Sequence, residues 1–148
     1  MSGDRSALGV VSLHHVALPV SDLERSRRFY AGILGLVEIE RPEAFGFPGA
    51  WFAVGDGQLH LIAYDTGTPT FRGAKGLDSR DVHFAIRVPD FDAALERLRA
   101  AGFREGAPAL DPMRMKANHT PNAGFPQIFI MDPDRHIIEI NAAGSSRA

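Results

Sequence analysis

Between residues 13 and 23 apolar and other positions alternate. Val16, Leu18 and Val20 face one way and His15, Ala17 and Pro19 the other, the period-two pattern of a strand with one buried face. The pattern returns between residues 81 and 91, where Val82, Phe84, Ile86 and Val88 oppose His83, Ala85 and Arg87. With an offset of 68 the two stretches keep His15/His83, Ala17/Ala85, Val20/Val88 and Asp22/Asp90 identical. The chain thus contains an internal repeat. Each copy opens on a strand whose apolar face wants a helix layer and whose other face, carrying a lone histidine, wants a polar environment.

Helical stripes follow both strands. Ser21-Asp22-Leu23-Glu24 reads as a capping box, and Leu23, Ser26, Tyr30, Ile33 and Leu34 fall on one face behind it. In the second copy Asp90 is the N-cap, and Phe91, Ala94, Leu95, Leu98 and Ala101 make the matching stripe. Gly35 and Gly102 stand where a helix ends on a left-handed residue. Short strands are expected at 36–40, 50–54 and 58–64, then at 103–105, 127–131 and 136–141, with one more strand and a mobile loop between 106 and 123. The predicted fold is α+β: two βαβββ modules forming a cupped, mostly antiparallel eight-stranded sheet with helices on the outer face. Residues 1–148 read as one domain, with module 1 at about 11–64, a linker at about 65–80 and module 2 at about 81–142.

Composition narrows the functions. A net charge of −2 offers no basic excess for nucleic acid or an anionic membrane. The absence of cysteine excludes disulfides, thiolate metal sites and a cysteine nucleophile. No apolar run approaches the roughly 20 residues that span a bilayer, and residues 1–5 lack the apolar stretch of a signal peptide. A cytoplasmic location with a small-molecule substrate is the expectation.

Residues 15–36, from His-Val-Ala-Leu-Pro-Val to Ile-Leu-Gly-Leu, and the closing Asp132-Pro133-Asp134 followed by Glu139 resemble the vicinal oxygen chelate superfamily. That superfamily includes glyoxalase I, methylmalonyl-CoA epimerase, fosfomycin-resistance proteins, bleomycin-binding proteins and extradiol dioxygenases. Arg41-Pro42, Gly49-Ala50-Trp51-Phe52 and His60-Leu61 look like a glyoxalase-I-like subgroup. The resemblance implies one divalent metal ion (Zn, Ni, Co, Mn or Fe(II)) held from the first and last strands of each half. Those positions here are His15, His60, His83 and Glu139. The residue pattern agrees, since a carboxylate amid Ile137, Ile138 and Ile140 is costly to bury without a cation. It also implies a homodimer, because half-sheets leave unpaired edges that superfamily members usually cover by pairing chains. Whether the metal site closes within one chain or between two stays open.

Three neutral imidazoles and one carboxylate leave a divalent ion with net charge +1. If the ion is six-coordinate, two positions remain for adjacent substrate oxygens. The resemblance then implies a glyoxalase-like lyase or isomerase acting through a metal-bound enediolate on a 2-oxoaldehyde or thioester-type substrate, with Glu139 as ligand and proton carrier. Two alternatives come from other classes: an Fe(II) extradiol-type dioxygenase, and a non-catalytic metal-assisted binding or resistance protein. Further candidates for substrate contact are Arg87 on the inner face, Trp51, and Arg114, Lys116 and His119 on the loop between 106 and 123. Three positions depart from relatives. Pro19 and Tyr64 stand where glyoxalase I has an Arg and an Asn for glutathione, and Phe129 stands where extradiol dioxygenases have a Tyr. His14 and His136 read as structural.

Overall fold

In the computed structural model, residues 7–64, 73–120 and 123–144 are described. The first repeat gives β1 (His15–Val20), α1 (Leu23–Arg27), β2 (Val37–Ile39), β3 (Gly49–Val54) and β4 (Gly57–Ala63). The second gives β5 (His83–Arg87), α2 (Phe91–Ala100), β6 (Lys116–Asn118), β7 (Gln127–Met131) and β8 (Ile137–Asn141). The strands form two four-stranded mixed sheets of the same design, β1-β4-β3-β2 and β5-β8-β7-β6. The strand opening each module lies parallel to the strand closing it, and the other neighbours are antiparallel. Among the described residues no ladder joins β1 to β5, so the eight strands expected as one sheet are two within the chain, and β1 and β5 are free edges. No helix among the described residues is long and apolar enough to cross a membrane.

Alternation sorts the faces. Leu18, Val20, Phe52, Leu59 and Leu61 of the first sheet and Ile128, Ile130, Ile138 and Ile140 of the second join one core with Phe29, Tyr30, Phe91, Leu95 and Leu98 of the helical segments. Each such side chain contributes about 1.5–3 kcal/mol on burial. The opposite faces carry His15, Trp51, Gln58 and His60 on one sheet, and His83, Arg87, Gln127, Glu139 and Asn141 on the other.

Three local details differ from the sequence reading. The first cap is Asp22, whose side chain accepts from Arg25 N at 3.0 Å. Ser21 is drawn away by the buried Asp134, which accepts from its N at 3.1 Å and its Oγ at 2.5 Å. The first helix also runs into a π-helical turn over Arg28–Ile33. The wider turn lets the consecutive Phe29 and Tyr30 both enter the core, which a 3.6-residue period alone does not favour. The strand expected at 103–105 shrinks to one bridge, Arg104 to Arg114, because the chain on both sides turns away. Arg135 takes a left-handed φ of 66° after Asp132-Pro133-Asp134 and spends its guanidinium on Lys75 O (2.8 Å) and Leu110 O (3.0 Å). Gly35 and Gly102, at φ 73° and 102°, end their helices as the sequence suggests.

Polar contacts clasp the modules together. Tyr30 Oη donates to buried Asp132 at 2.7 Å, His136 Nε2 meets Pro19 O at 2.6 Å, and Arg97 donates to Ile33 O and Gly32 O. Burial and the Asp132 charge push the Tyr30 hydroxyl well above its ordinary pKa, and burial raises that of Asp132.

Candidate functional site

The parallel pairing of opening and closing strands decides which candidates meet. Ala17 lies opposite His60 and Ala85 opposite Glu139, so each closing-strand residue sits one step diagonally from the histidine opening its module. His15 and His60 stack at 4.1 Å between ring centroids, and Trp51 covers the other face of His60 at 4.0 Å and 3°. His83 Nε2 lies 3.5 Å from Glu139 Oε1. Among the described residues no three His, Cys, Asp or Glu side chains gather as a cluster that could hold a metal ion. The four candidates form two pairs, one per sheet.

Each pair has chemistry suited to a cation. His60 is only 8% exposed. Its pKa is lowered to about 4 by burial first, then by the charges of His15, His14 and Arg41, so the ring is neutral near pH 7. His83 Nδ1 is 2.7 Å from Asp81 O. Donation to that carbonyl fixes the proton on Nδ1 and leaves the Nε2 lone pair facing Glu139, the arrangement usual for a ligating histidine. Glu139 is 5% exposed and accepts from Gln127 Nε2 at 2.9 Å and Asn141 Nδ2 at 2.6 Å. These two amides hold both oxygens as acceptors. Arg87 Nε in turn donates to Asn141 Oδ1 at 2.6 Å, and its guanidinium lies 5.0 Å from the centre of the Phe125 ring. The donor types fit a divalent cation, and each pair could offer two ligands to one.

The remaining candidates are spread out. Lys116 shares a cross-strand row with Phe129 and Glu139, and its Nζ donates to Ser79 Oγ at 3.0 Å. Arg114 donates to Ala107 O at 2.8 Å, and His119 packs edge-on against Phe91 at the start of α2. The stretch they share is tied back by Arg104 N to Met113 O and Met115 N to Arg104 O, with Met115 buried. Sequence reading missed the supporting amides Gln58, Gln127 and Asn141. Two of them could have been found: Gln58 and Asn141 stand two residues from His60 and Glu139, hence on the same faces.

A groove of about 720 Å³ runs between the free edges of β1 and β5. Its walls include Leu13, Val16, Leu18, Val82, Phe84 and Ile86, and His15 and His83 both lie along it. Val10, Val11, Leu13 and Val82 are all more than two-thirds exposed. An apolar groove between two unpaired edges is the anatomy of an association surface.

Residues 12–140 match the family model described as Glyoxalase/Bleomycin resistance protein/Dioxygenase superfamily. Among curated proteins the chain is 28% identical over 134 residues to Glyoxylase I 4 of Arabidopsis thaliana, covering 90% of this chain and 71% of that protein. It is also 28% identical to a probable lactoylglutathione lyase of Vibrio cholerae, over 85% of this chain and 86% of the other. Among solved structures it matches a FosX mutant from Listeria monocytogenes, a fosfomycin resistance protein complexed with Mn(II) and 1S,2S-dihydroxypropylphosphonic acid. The TM-score is 0.65 at 20% identity, over 93% of this chain and 95% of that one.

Proposed function

The chain belongs to the Glyoxalase/Bleomycin resistance protein/Dioxygenase superfamily, and on that premise we propose a metal-dependent, glyoxalase-like lyase or isomerase. It acts in the cytoplasm on a small α-oxygenated substrate, with its site completed across a homodimer. The observation that carries the proposal is the division of the donors into two pairs, each beside an unpaired edge. Pairing the edge of β1 in one protomer with that of β5 in its partner covers both edges. It also joins His15 and His60 of one chain to the second pair of the other, giving two equivalent sites per dimer.

The residues to hold the ion are His15, His60, His83 and Glu139. The ion supplies an electrophile for a substrate oxygen. Glu139 takes the proton from the carbon beside the polarised carbonyl and returns it at the neighbouring position, which moves hydrogen between adjacent carbons without an outside oxidant. Gln127 and Asn141 hold its two oxygens in place, and Arg87, through Asn141, adds positive charge beside them. Trp51 keeps the His60 ring flat against one wall. The dioxygenase alternative is less well supported: Phe129 lies edge-on to His83 at 5.5 Å and brings no hydroxyl to the site.

Complementation tests the arrangement. One inactive variant carries His15→Ala and His60→Ala, the other His83→Ala and Glu139→Ala. If the site spans two chains, a mixed dimer contains one intact site and one doubly damaged site. Co-refolding the two variants then restores metal binding and turnover on a panel of 2-oxoaldehydes and acyl-CoA thioesters. A site closed within one chain gives no restoration, which overturns the dimeric reading.

A further inference from the structure

Beyond Trp51 the first sheet carries a cation that the proposed chemistry does not use. Arg41 stands before β3, and its side chain lies across Gly49. A Cβ added there would meet Arg41 Nε at 2.9 Å and Leu61 O at 2.5 Å, so the glycine leaves room for the guanidinium on that face. Arg41 Cζ sits over the ring of Phe45 at 4.5 Å and that of Phe47 at 5.2 Å, while Nη2 donates to Phe47 O at 2.8 Å. Phe45 then meets Trp51 at 5.8 Å, and Trp51 stacks on His60. A continuous aromatic wall thus leads from a fixed cation to the first donor pair.

Two further facts bear on its use. Among the described residues Arg41 has no carboxylate partner, although its own loop carries Glu43. Phe45 and Phe47 are 41% and 42% exposed, at the open face of the site and not in the core. Aromatic side chains left exposed around an unpaired, pre-positioned arginine form a recognition surface for an oxyanion on an apolar or planar group.

We propose that Arg41, walled by Phe45, Phe47 and Trp51, is a specificity-determining residue that binds a carboxylate or similar oxyanion on the substrate, remote from the oxygens that meet the metal. Gly49 and Trp51 lie on one face of β3 two residues apart, about 7 Å along the strand, and Trp51 pairs with His60. The substrate class is therefore an α-oxygenated compound whose acidic group lies about one ring width from the reacting pair. This rests on the metal-centre reading above.

The test uses the full chain loaded with Co(II), whose visible spectrum reports chelation, and two probes. Benzohydroxamate offers vicinal oxygens alone, and 4-carboxybenzohydroxamate adds a para carboxylate. Calorimetric titration of the wild type should show the carboxylated probe binding at least about tenfold tighter, the scale of a charge-assisted contact. Arg41→Met should erase that preference and leave benzohydroxamate affinity unchanged. Arg41→Lys should keep a reduced preference, and it decides the matter if Arg41→Met does not fold. Equal affinities in the wild type, or a preference that survives either variant in full, overturn the inference. A Co(II) spectrum unmoved by both probes instead removes the metal-centre reading, and this inference falls with it.

Discussion

Glu139→Gln separates proton transfer from structure, and its cost can be worked from the hydrogen bonds around it. Both carboxylate oxygens are held by amide donors, Gln127 Nε2 at 2.9 Å and Asn141 Nδ2 at 2.6 Å. A glutamine at 139 brings its own NH₂ to one of them. Asn141 cannot turn over to receive it, because Asn141 Oδ1 already accepts from Arg87 at 2.6 Å. Half-exposed Gln127 can turn, presenting its oxygen to the new NH₂ and leaving its own NH₂ to solvent. What is lost is the charge assistance of two bonds, about 1–2 kcal/mol in all. The folded state should survive with a small shift in urea midpoint and an unchanged m-value. Metal affinity should fall by at least about 100-fold, since removal of an outer-shell partner alone typically costs 10–100-fold and here the only anionic ligand is neutralised. With metal restored to saturation, proton exchange at the substrate carbon should be abolished, because an amide cannot accept the proton. The assay is deuterium incorporation and turnover on the 2-oxoaldehyde and thioester panel. Turnover within a few-fold of wild type at saturating metal refutes the role of Glu139.

Three other outcomes follow from the same structure. Tyr30→Phe removes the hydroxyl donated to buried Asp132, which keeps the backbone N–H groups of Asp134 and His136; a loss of about 1–2 kcal/mol should appear as a melting temperature lower by roughly 2–8 °C. For His60 the folded pKa of about 4 lies below the ordinary imidazole value of 6.5. Its contribution is present above pH 6.5 and lost as pH falls toward 4, amounting to up to about 3 kcal/mol. Urea titrations of metal-free protein across that window should show the loss, and His60→Gln should flatten it. At the left-handed Arg135, Arg135→Gly should be close to neutral, since relief of the backbone offsets the two lost carbonyl contacts, whereas Arg135→Ala should cost about 1 kcal/mol more; equal midpoints for the two variants would rule out backbone strain there.

Alternation made much of this legible. The faces occupied by His15, His60, His83 and Glu139 follow from counting in twos along β1, β4, β5 and β8, and β7 spans the expected 127–131. Contacts that depend on packing were not legible. The π-helical turn arises because Phe29 and Tyr30 are both taken into a core built by the rest of the chain. Ser21 spends its hydroxyl on an aspartate 113 residues away, and Asp22 caps the helix instead. The division of the donors into two pairs depends on how the two sheets sit against each other, which no local pattern encodes. Gln127 needed the register of β7 on β8, where it faces Asn141 and reaches Glu139 diagonally.

The repeat also shows how one design acquired two unlike halves. Because Ala17 and Ala85 are repeat-equivalent, their partners His60 and Glu139 are equivalent too, and so are Gln58 with Ile137 and Ile62 with Asn141. The supporting amide has changed sides. Gln58, before His60, accepts at Oε1 from its Nε2 at 2.8 Å and so orients the ring. Asn141, after Glu139, offers an N–H, which suits an anion. One support orients a ring and the other donates to an anion. The surrounding charges divide the same way: Arg41 bears on the His60 side and helps keep that ring unprotonated, while Arg87 reinforces the donors around Glu139. One half thus presents two imidazoles beside an aromatic wall, and the other presents the carboxylate proposed to move the proton. Two copies of either half would lack one of those features, and so in the proposed dimer pairing β1 of one protomer with β5 of its partner, unlike edge with unlike edge, would give two complete sites.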